Sequence, residues 1–141
     1  MLEIFLVILS ATLGSTCFAI LFRVPRHYTP HTILLGLLTC IAIRYTPTEW
    51  SIAFSTFVVA LGASSFANLL ARVTRNPAQA FLVPGVIFLV PGSFIYRALS
   101  SALTQNMPDA MKYFLDATMI SLAISFGLLL ANWFLPSKRS L

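Results

Sequence analysis

Apolar residues along this chain fall into five long runs separated by short polar connections, a spacing that predicts five membrane-crossing helices. The first run, Leu2 to Phe22, holds Glu3 as its only charge. At about 1.5 Å per residue it covers a hydrocarbon core of about 30 Å. A signal peptide is the competing reading. That would need a basic leading segment, where Glu3 stands, and an apolar stretch of only about 7–15 residues. The run is expected to be a retained helix. The second run is the weakest, because Ile33 to Ile43 is unbroken but only the wider window Tyr28–Thr46 reaches spanning length. A re-entrant or interfacial segment is the alternative there. The third run extends from Trp50 to Ala71 and closes on Arg72. The fourth, Ala80 to Leu103, is interrupted by Pro84-Gly85 and Pro91-Gly92, and the fifth is Tyr113 to Phe134.

The charges decide between the two readings of the second run. If it spans, Arg23/Arg26, Arg72/Arg75 and Lys138/Arg139 share one side, while Glu3, Glu49 and Asp109 share the other. If it does not, the first two basic pairs face opposite compartments, against the positive-inside tendency. Spanning is the expectation, with the N-terminus outside and the C-terminus in the cytoplasm of a bacterial inner membrane. Trp50, Tyr45, Tyr113 and Trp133 fall near the expected boundaries, where aromatic belts belong.

Composition agrees. Hydrophobic residues are 58% and charged residues 9% of 141, against about 25% charged in a soluble domain. The formal charge of +5 could suggest nucleic acid, but the basic residues sit singly or in pairs between apolar runs and form no phosphate-binding face. No nucleic-acid partner is expected; membrane lipid is. Cys17 and Cys40 lie inside apolar runs without metal-like spacing and read as inert buried thiols. The fold class is thus all-α, a single integral-membrane domain over residues 1–141.

Five helices make a thin bundle with surface left for a partner or a homo-oligomer. Small residues recur at helical spacing in Ala11/Ser15/Ala19, Ala63/Ala67/Ala71 and Ala117/Ser121/Ser125, which lets backbones approach closely. Packing within the bundle is one reading; a stripe facing another subunit is the other.

The fourth run concentrates the chemistry. Each Pro removes a backbone donor and clashes with the preceding turn, and each following Gly permits unusual backbone angles, so the helix is expected to break or bend twice. In lipid, the freed carbonyls need protein or cavity water. A half-helix starting at Pro91 would aim its positive end at the membrane centre, as in transporters that hold a substrate carboxylate. Ser93, Tyr96 and Arg97 follow at i, i+3 and i+4, offering a hydroxyl, a phenol and a guanidinium on one side. The plainer reading is a kinked helix whose Arg97 snorkels to the outer interface.

The double motif Val83-Pro84-Gly85 and Val90-Pro91-Gly92-Ser93, followed by Tyr96, resembles the small-subunit (C-terminal) half of the bacterial threonine/serine exporter family. The likeness extends to the five-helix layout and covers essentially the whole chain. Phe88 stands where many relatives carry a further proline. The resemblance implies secondary export of a small hydrophilic metabolite: a threonine/serine-type amino acid or a succinate-type dicarboxylate. It also implies a separate, larger membrane subunit, since fused relatives carry a larger half before this one. The substrate pathway is then expected at Pro84, Gly85, Pro91, Gly92, Ser93, Tyr96 and Arg97.

Secondary candidates are Asp116, a coupling carboxylate or an interfacial partner of Lys112 at i−4, and Asn68 with Arg72, which line the inner mouth or end the third helix. Asn132 reads as a polar residue near the inner end of the last helix, and His27 and His31 as ordinary loop histidines. No paired carboxylates, Ser/His/Asp set or metal cluster is visible, so neither an enzyme nor a cofactor is expected. The serious rival is a non-transporting assembly or stability subunit.

Overall fold

The computed structural model describes residues 2–47, 49–74 and 78–135, with side chains from residue 5 onward. Arg75, Lys138 and Arg139 of the charge argument lie outside the described residues, as does the side chain of Glu3. The described chain folds as α1 (Leu2–Leu21), α2 (Thr29–Arg44), α3 (Ile52–Thr74), α4 (Ala78–Val86), a 3-10 turn over Ile87–Leu89, α5 (Gly92–Leu103) and α6 (Met107–Phe134). No strand occurs among the described residues.

Local chemistry sets the boundaries. Pro30 and Pro108 occupy the first turns of α2 and α6, where a missing N–H costs nothing. Asp109 joins Pro108 there, favoured by the positive helix end, and so α6 starts six residues before Tyr113, at Met107. The ends of α1 and α5 share one device. Arg23 and Gln105 take positive φ (52° and 60°), and the next amide reaches back five residues, Val24 to the Ala19 carbonyl and Asn106 to the Ser101 carbonyl.

Two described helices, α3 and α6, are long and apolar enough to cross a membrane, and α4 with the 3-10 turn and α5 pass the same test as a pair bent by 41°, the form of a broken span or a re-entrant loop. α1, apolar over Phe5–Leu21, and α2 are shorter. The 16 residues of α2 rise only about 24 Å against a core of about 30 Å. The run weakest in sequence is also the short helix.

The two Pro-Gly pairs behave differently. Pro84 lies inside α4, which continues to Val86, so the first pair does not end the helix. The chain tightens into the 3-10 turn just after it and leaves helical geometry at Val90, with φ −60° and ψ 127°. That extended conformation is the one a residue before proline prefers. The break therefore belongs to Pro91. Neither Gly85 nor Gly92 uses a positive φ.

The core is built from Leu35, Ala60, Ala67, Phe81 and their neighbours, with α3 packed against α6, α4 and α2. Close approach depends on small residues. A Cβ added at Gly127 of α6 would lie 3.0 Å from the Phe57 carbonyl oxygen and 3.0 Å from the Ala60 Cβ of α3. The Ala11/Ser15/Ala19 and Ala63/Ala67/Ala71 stripes are buried inside the bundle. The third divides: Ala117 is buried, while Ser121 and Ser125 face outward. Helical hydroxyls of Thr12, Thr39, Thr118, Ser121 and Ser125 donate to carbonyls four residues back, at 2.7–2.9 Å, which satisfies them without water.

Candidate functional site

The site grows from the break at Pro91. Pro91 has φ −77° and ψ 45°, close to an inverse γ-turn, and the Gly92 N–H donates to the Val90 carbonyl at 2.8 Å. The Gly92 amide, expected to face a substrate, is thereby occupied. The Ile95 N–H donates to the Pro91 carbonyl at 3.1 Å, so Ser93 and Phe94 carry the amides that open α5. A Cβ at Gly92 would meet nothing within 4 Å, so no other part of this chain requires glycine there.

Beside the break lies a cleft of about 150 Å³, lined by Ile43, Ile52, Thr56, Phe88, Pro91 and Ser93 among others. Its volume equals roughly five waters at about 30 Å³ each, below the roughly 300–1,000 Å³ of sites that enclose drug-sized ligands. Ser93 and Thr56 are its hydroxyl residues, and the Thr56 hydroxyl already donates to the Ile52 carbonyl at 2.7 Å. Phe88 forms one wall. Its ring rests against Gly14 of α1 and Gly36 of α2, where an added Cβ would lie 3.0 and 3.1 Å away. This seat was not legible in advance, because nothing in the spacing of Gly14 and Gly36 names the ring that fills it.

The seven expected pathway residues separate into two groups. Pro84 and Gly85 are buried in the core, with Leu35 pressed so close that a Cβ at Gly85 would lie 2.6 Å from its Cδ2. They support the bundle and do not join the others. Pro91 is buried at the cleft, while Gly92, Ser93, Tyr96 and Arg97 are exposed along α5. The last three share a face, as their spacing requires. Arg97 Cζ lies 5.9 Å from the ring centroid of Tyr113 on α6, a cation–π contact joining the two helices.

Asp116 is half-buried on α6. No ion pair joins it to Lys112 among the described residues. Arg72 is exposed at the end of α3. Asn68 is fully buried and donates from Nδ2 to Asn132 Oδ1 at 3.0 Å, clamping α3 to α6. Sequence reasoning named both asparagines and missed their pairing. The available signal was an amide near the same end of two apolar runs, a common interhelical device in lipid. His31 belongs to the first turn of α2, not to the loop, and its ring lies edge-on to Tyr28 at 6.2 Å. Among the described residues no three His, Cys, Asp or Glu side chains gather as a metal site.

Comparison with known proteins locates this architecture. The sequence profile of the threonine/serine exporter family, ThrE, matches residues 7–134. A probable threonine/serine exporter of Mycobacterium tuberculosis is 23% identical over 140 residues, covering 98% of this chain and 26% of that protein. The chain thus spans about a quarter of the length of that relative. No solved structure matches. With the family profile running from α1 to the end of α6, the chain belongs to the threonine/serine exporter family.

Proposed function

We propose that the chain is the small subunit of a secondary exporter that moves a threonine/serine-type amino acid or a succinate-type dicarboxylate out of the cytoplasm, together with a larger membrane subunit. The observation that carries this reading is the coincidence of the family match over residues 7–134 with an apolar helix pair, bent by 41°, that breaks at Pro91. The first turn of α5 presents unpaired amides and roughly half a positive charge beside the break. Arg97 adds a full charge one turn beyond Ser93. A substrate carboxylate suits both. The chain crosses the bacterial inner membrane five times, α1 and α2 included, with its C-terminus in the cytoplasm.

The test is export at matched membrane levels, with the chain alone and with the larger subunit. The pair should export and the chain alone should not. Robust transport by the purified chain in liposomes overturns the two-subunit reading. Within an active pair, Arg97→Gln should weaken export of a dicarboxylate more than that of a zwitterionic amino acid, because only the former carries the extra negative charge. Equal effects on both would remove Arg97 from the pathway.

One observation favours the rival, a non-transporting assembly subunit: the cleft is small and poor in polar groups. The readings separate on substitutions at Pro91 and Ser93. A pathway subunit changes substrate preference at constant protein level; an assembly subunit changes the level alone.

A further inference from the structure

We infer that the outward polar face of α5, formed by Ser93, Tyr96, Arg97 and Ser100, is the surface on which a larger membrane subunit closes, and that substrate passes along the seam between the two. This rests on the two-subunit exporter reading and deepens it. It moves the pathway from the interior of this bundle to its edge.

The argument begins with the helix. Ser93, Tyr96, Arg97 and Ser100 stand at i, i+3, i+4 and i+7, one face of an α-helix. All four are exposed, and Tyr96 keeps 72% of its surface. The inward side of the same helix carries buried Ala98 and half-buried Phe94 and Ala102, where α5 packs on α6. A third flank, Ile95, Leu99 and Leu103, is exposed and wholly apolar, as a lipid-facing surface should be. So α5 has three distinct sides. The bundle takes one and lipid suits the second. The polar side turns Arg97 back over the Tyr113 ring of α6, but its two serine hydroxyls and the exposed Tyr96 phenol suit neither the packed side nor hydrocarbon.

The cleft supports the same placement. It touches this face through Ser93, and its largely apolar lining, in which Thr56 and Ser93 are the hydroxyl residues, offers a zwitterion or dicarboxylate few polar partners within the chain. Gly92, at the start of the face, has open space above its Cα, which leaves room for a second protein or a substrate.

Charge and size choose the occupant. The face carries one cation and no carboxylate. A second copy laid on it would bring a second Arg97 and no carboxylate into one small interface, whereas a different subunit can bring the complementary acid or polar groups. Most of the Mycobacterium tuberculosis relative lies outside the segment that matches this chain, so a fused exporter supplies much protein besides this bundle.

The test uses the full chain in cell membranes, co-expressed with the larger threonine/serine exporter-family subunit. Cys17 and Cys40 are replaced by serine, and single cysteines are placed at Ser93 and Ser100 on the polar face, at Leu99 on the apolar flank, and at Leu129 on the exposed side of α6. Each is labelled with a benzophenone maleimide and illuminated, and the adduct is identified by an epitope on each subunit. In parallel, a membrane-impermeant maleimide measures access of water. Ser93→Cys and Ser100→Cys should cross-link to the larger subunit and react with the impermeant reagent, with added threonine or succinate slowing that reaction; Leu99→Cys should not react with it and Leu129→Cys should give no adduct. These are exposed, near-isosteric serine changes, and yields are normalised to protein in the membrane. Adducts between two copies of this chain, or from Leu129→Cys alone, overturn the proposal. So does a polar face that forms no adduct and excludes the reagent, since Arg97 then only snorkels. If the pair exports while the face fails these tests, the inference falls and the exporter reading stands; if the face cross-links but the pair exports nothing, the docking surface stands while the exporter reading falls, and with it the substrate path along the seam.

Discussion

Arg23 and Gln105 hold left-handed backbone at the ends of α1 and α5, and neither has a side chain suited to it. A left-handed residue with a Cβ costs roughly 1–2 kcal/mol, which glycine avoids while losing more freedom on folding. Gln105 is exposed, with only its backbone in the cap, through its N–H to the Ala102 carbonyl at 3.1 Å. Gln105→Gly should therefore stabilise the protein by about 0.5–1 kcal/mol, the strain relieved less the added chain entropy. Gln105→Val should do the opposite. Thermal denaturation in detergent reads both, and a lower midpoint for Gln105→Gly would show that the side chain has a role the cap does not explain. Arg23 is less open to the same exchange, because its charge also counts in orienting the chain. The asparagine clamp illustrates another residue-scale compromise. Asn68 gives an amide hydrogen to Asn132, yet its own oxygen is buried without a partner among the described residues. Interhelical polar bonds in membranes average only about 0.6 kcal/mol, so the clamp contributes alignment of α3 and α6 more than stability.

Between helices, contact is governed by what is missing from the side chains. Gly127 seats α6 on the backbone of α3, facing the Phe57 carbonyl and the Leu61 nitrogen at 3.0 and 3.1 Å from an added Cβ. Backbone atoms cannot step aside as a rotamer can, so Gly127→Ala should force the helices apart at about 1–3 kcal/mol. Gly62 is the control: it is exposed on α3 with nothing within 4 Å, and Gly62→Ala should be neutral or stabilising by up to about 1 kcal/mol. Equal losses at both positions in detergent unfolding would sink the packing account. The sequence displayed these elements unevenly. Each of the five apolar runs is helical in the structure, the fourth as two helices with a 3-10 turn between them. The two Pro-Gly pairs read alike, yet only Pro91 breaks the chain. Pro84 stays in α4 with Leu35 pressed against Gly85, a tertiary contact that no periodicity contains. The small-residue stripes were equally ambiguous. Which of them faces inward depends on helix rotation, and the spacing alone does not set it.

At the scale of the whole chain, the contacts fix which helix ends lie together. Tyr28, before α2, meets Phe81 of α4 edge-on at 6.1 Å, and Asn68 near the end of α3 bonds Asn132 near the end of α6. The α1–α2 loop with Arg23 and Arg26, the end of α3 with Arg72, and the end of α6 therefore gather at one end of the bundle. At the other end, Arg97 lies over Tyr113, and Asn106 donates to Asp109 at 2.7 Å. The side assignment expected from the charges, in which α2 returns the chain across the membrane although it is short, puts these same groups on one side. Positive loops are retained in the cytoplasm, so the end that holds Arg23, Arg26 and Arg72 should be cytoplasmic, and the C-terminus leaves α6 at that end. A fluorescent protein fused after Leu141 should therefore glow, and a periplasm-active phosphatase at the same place should stay silent. Fused in the α5–α6 connection, after Gln105, the phosphatase should be active. Replacing Arg23 and Arg26 together by Gln should weaken this preference, and the phosphatase after Leu141 should then gain partial activity. Full phosphatase activity after Leu141 in the unaltered chain would overturn this assignment: activity after Gln105 as well would mean α5 and α6 do not lie as described, and silence there would mean the bundle is inverted or α2 is folded back into the membrane it was expected to cross.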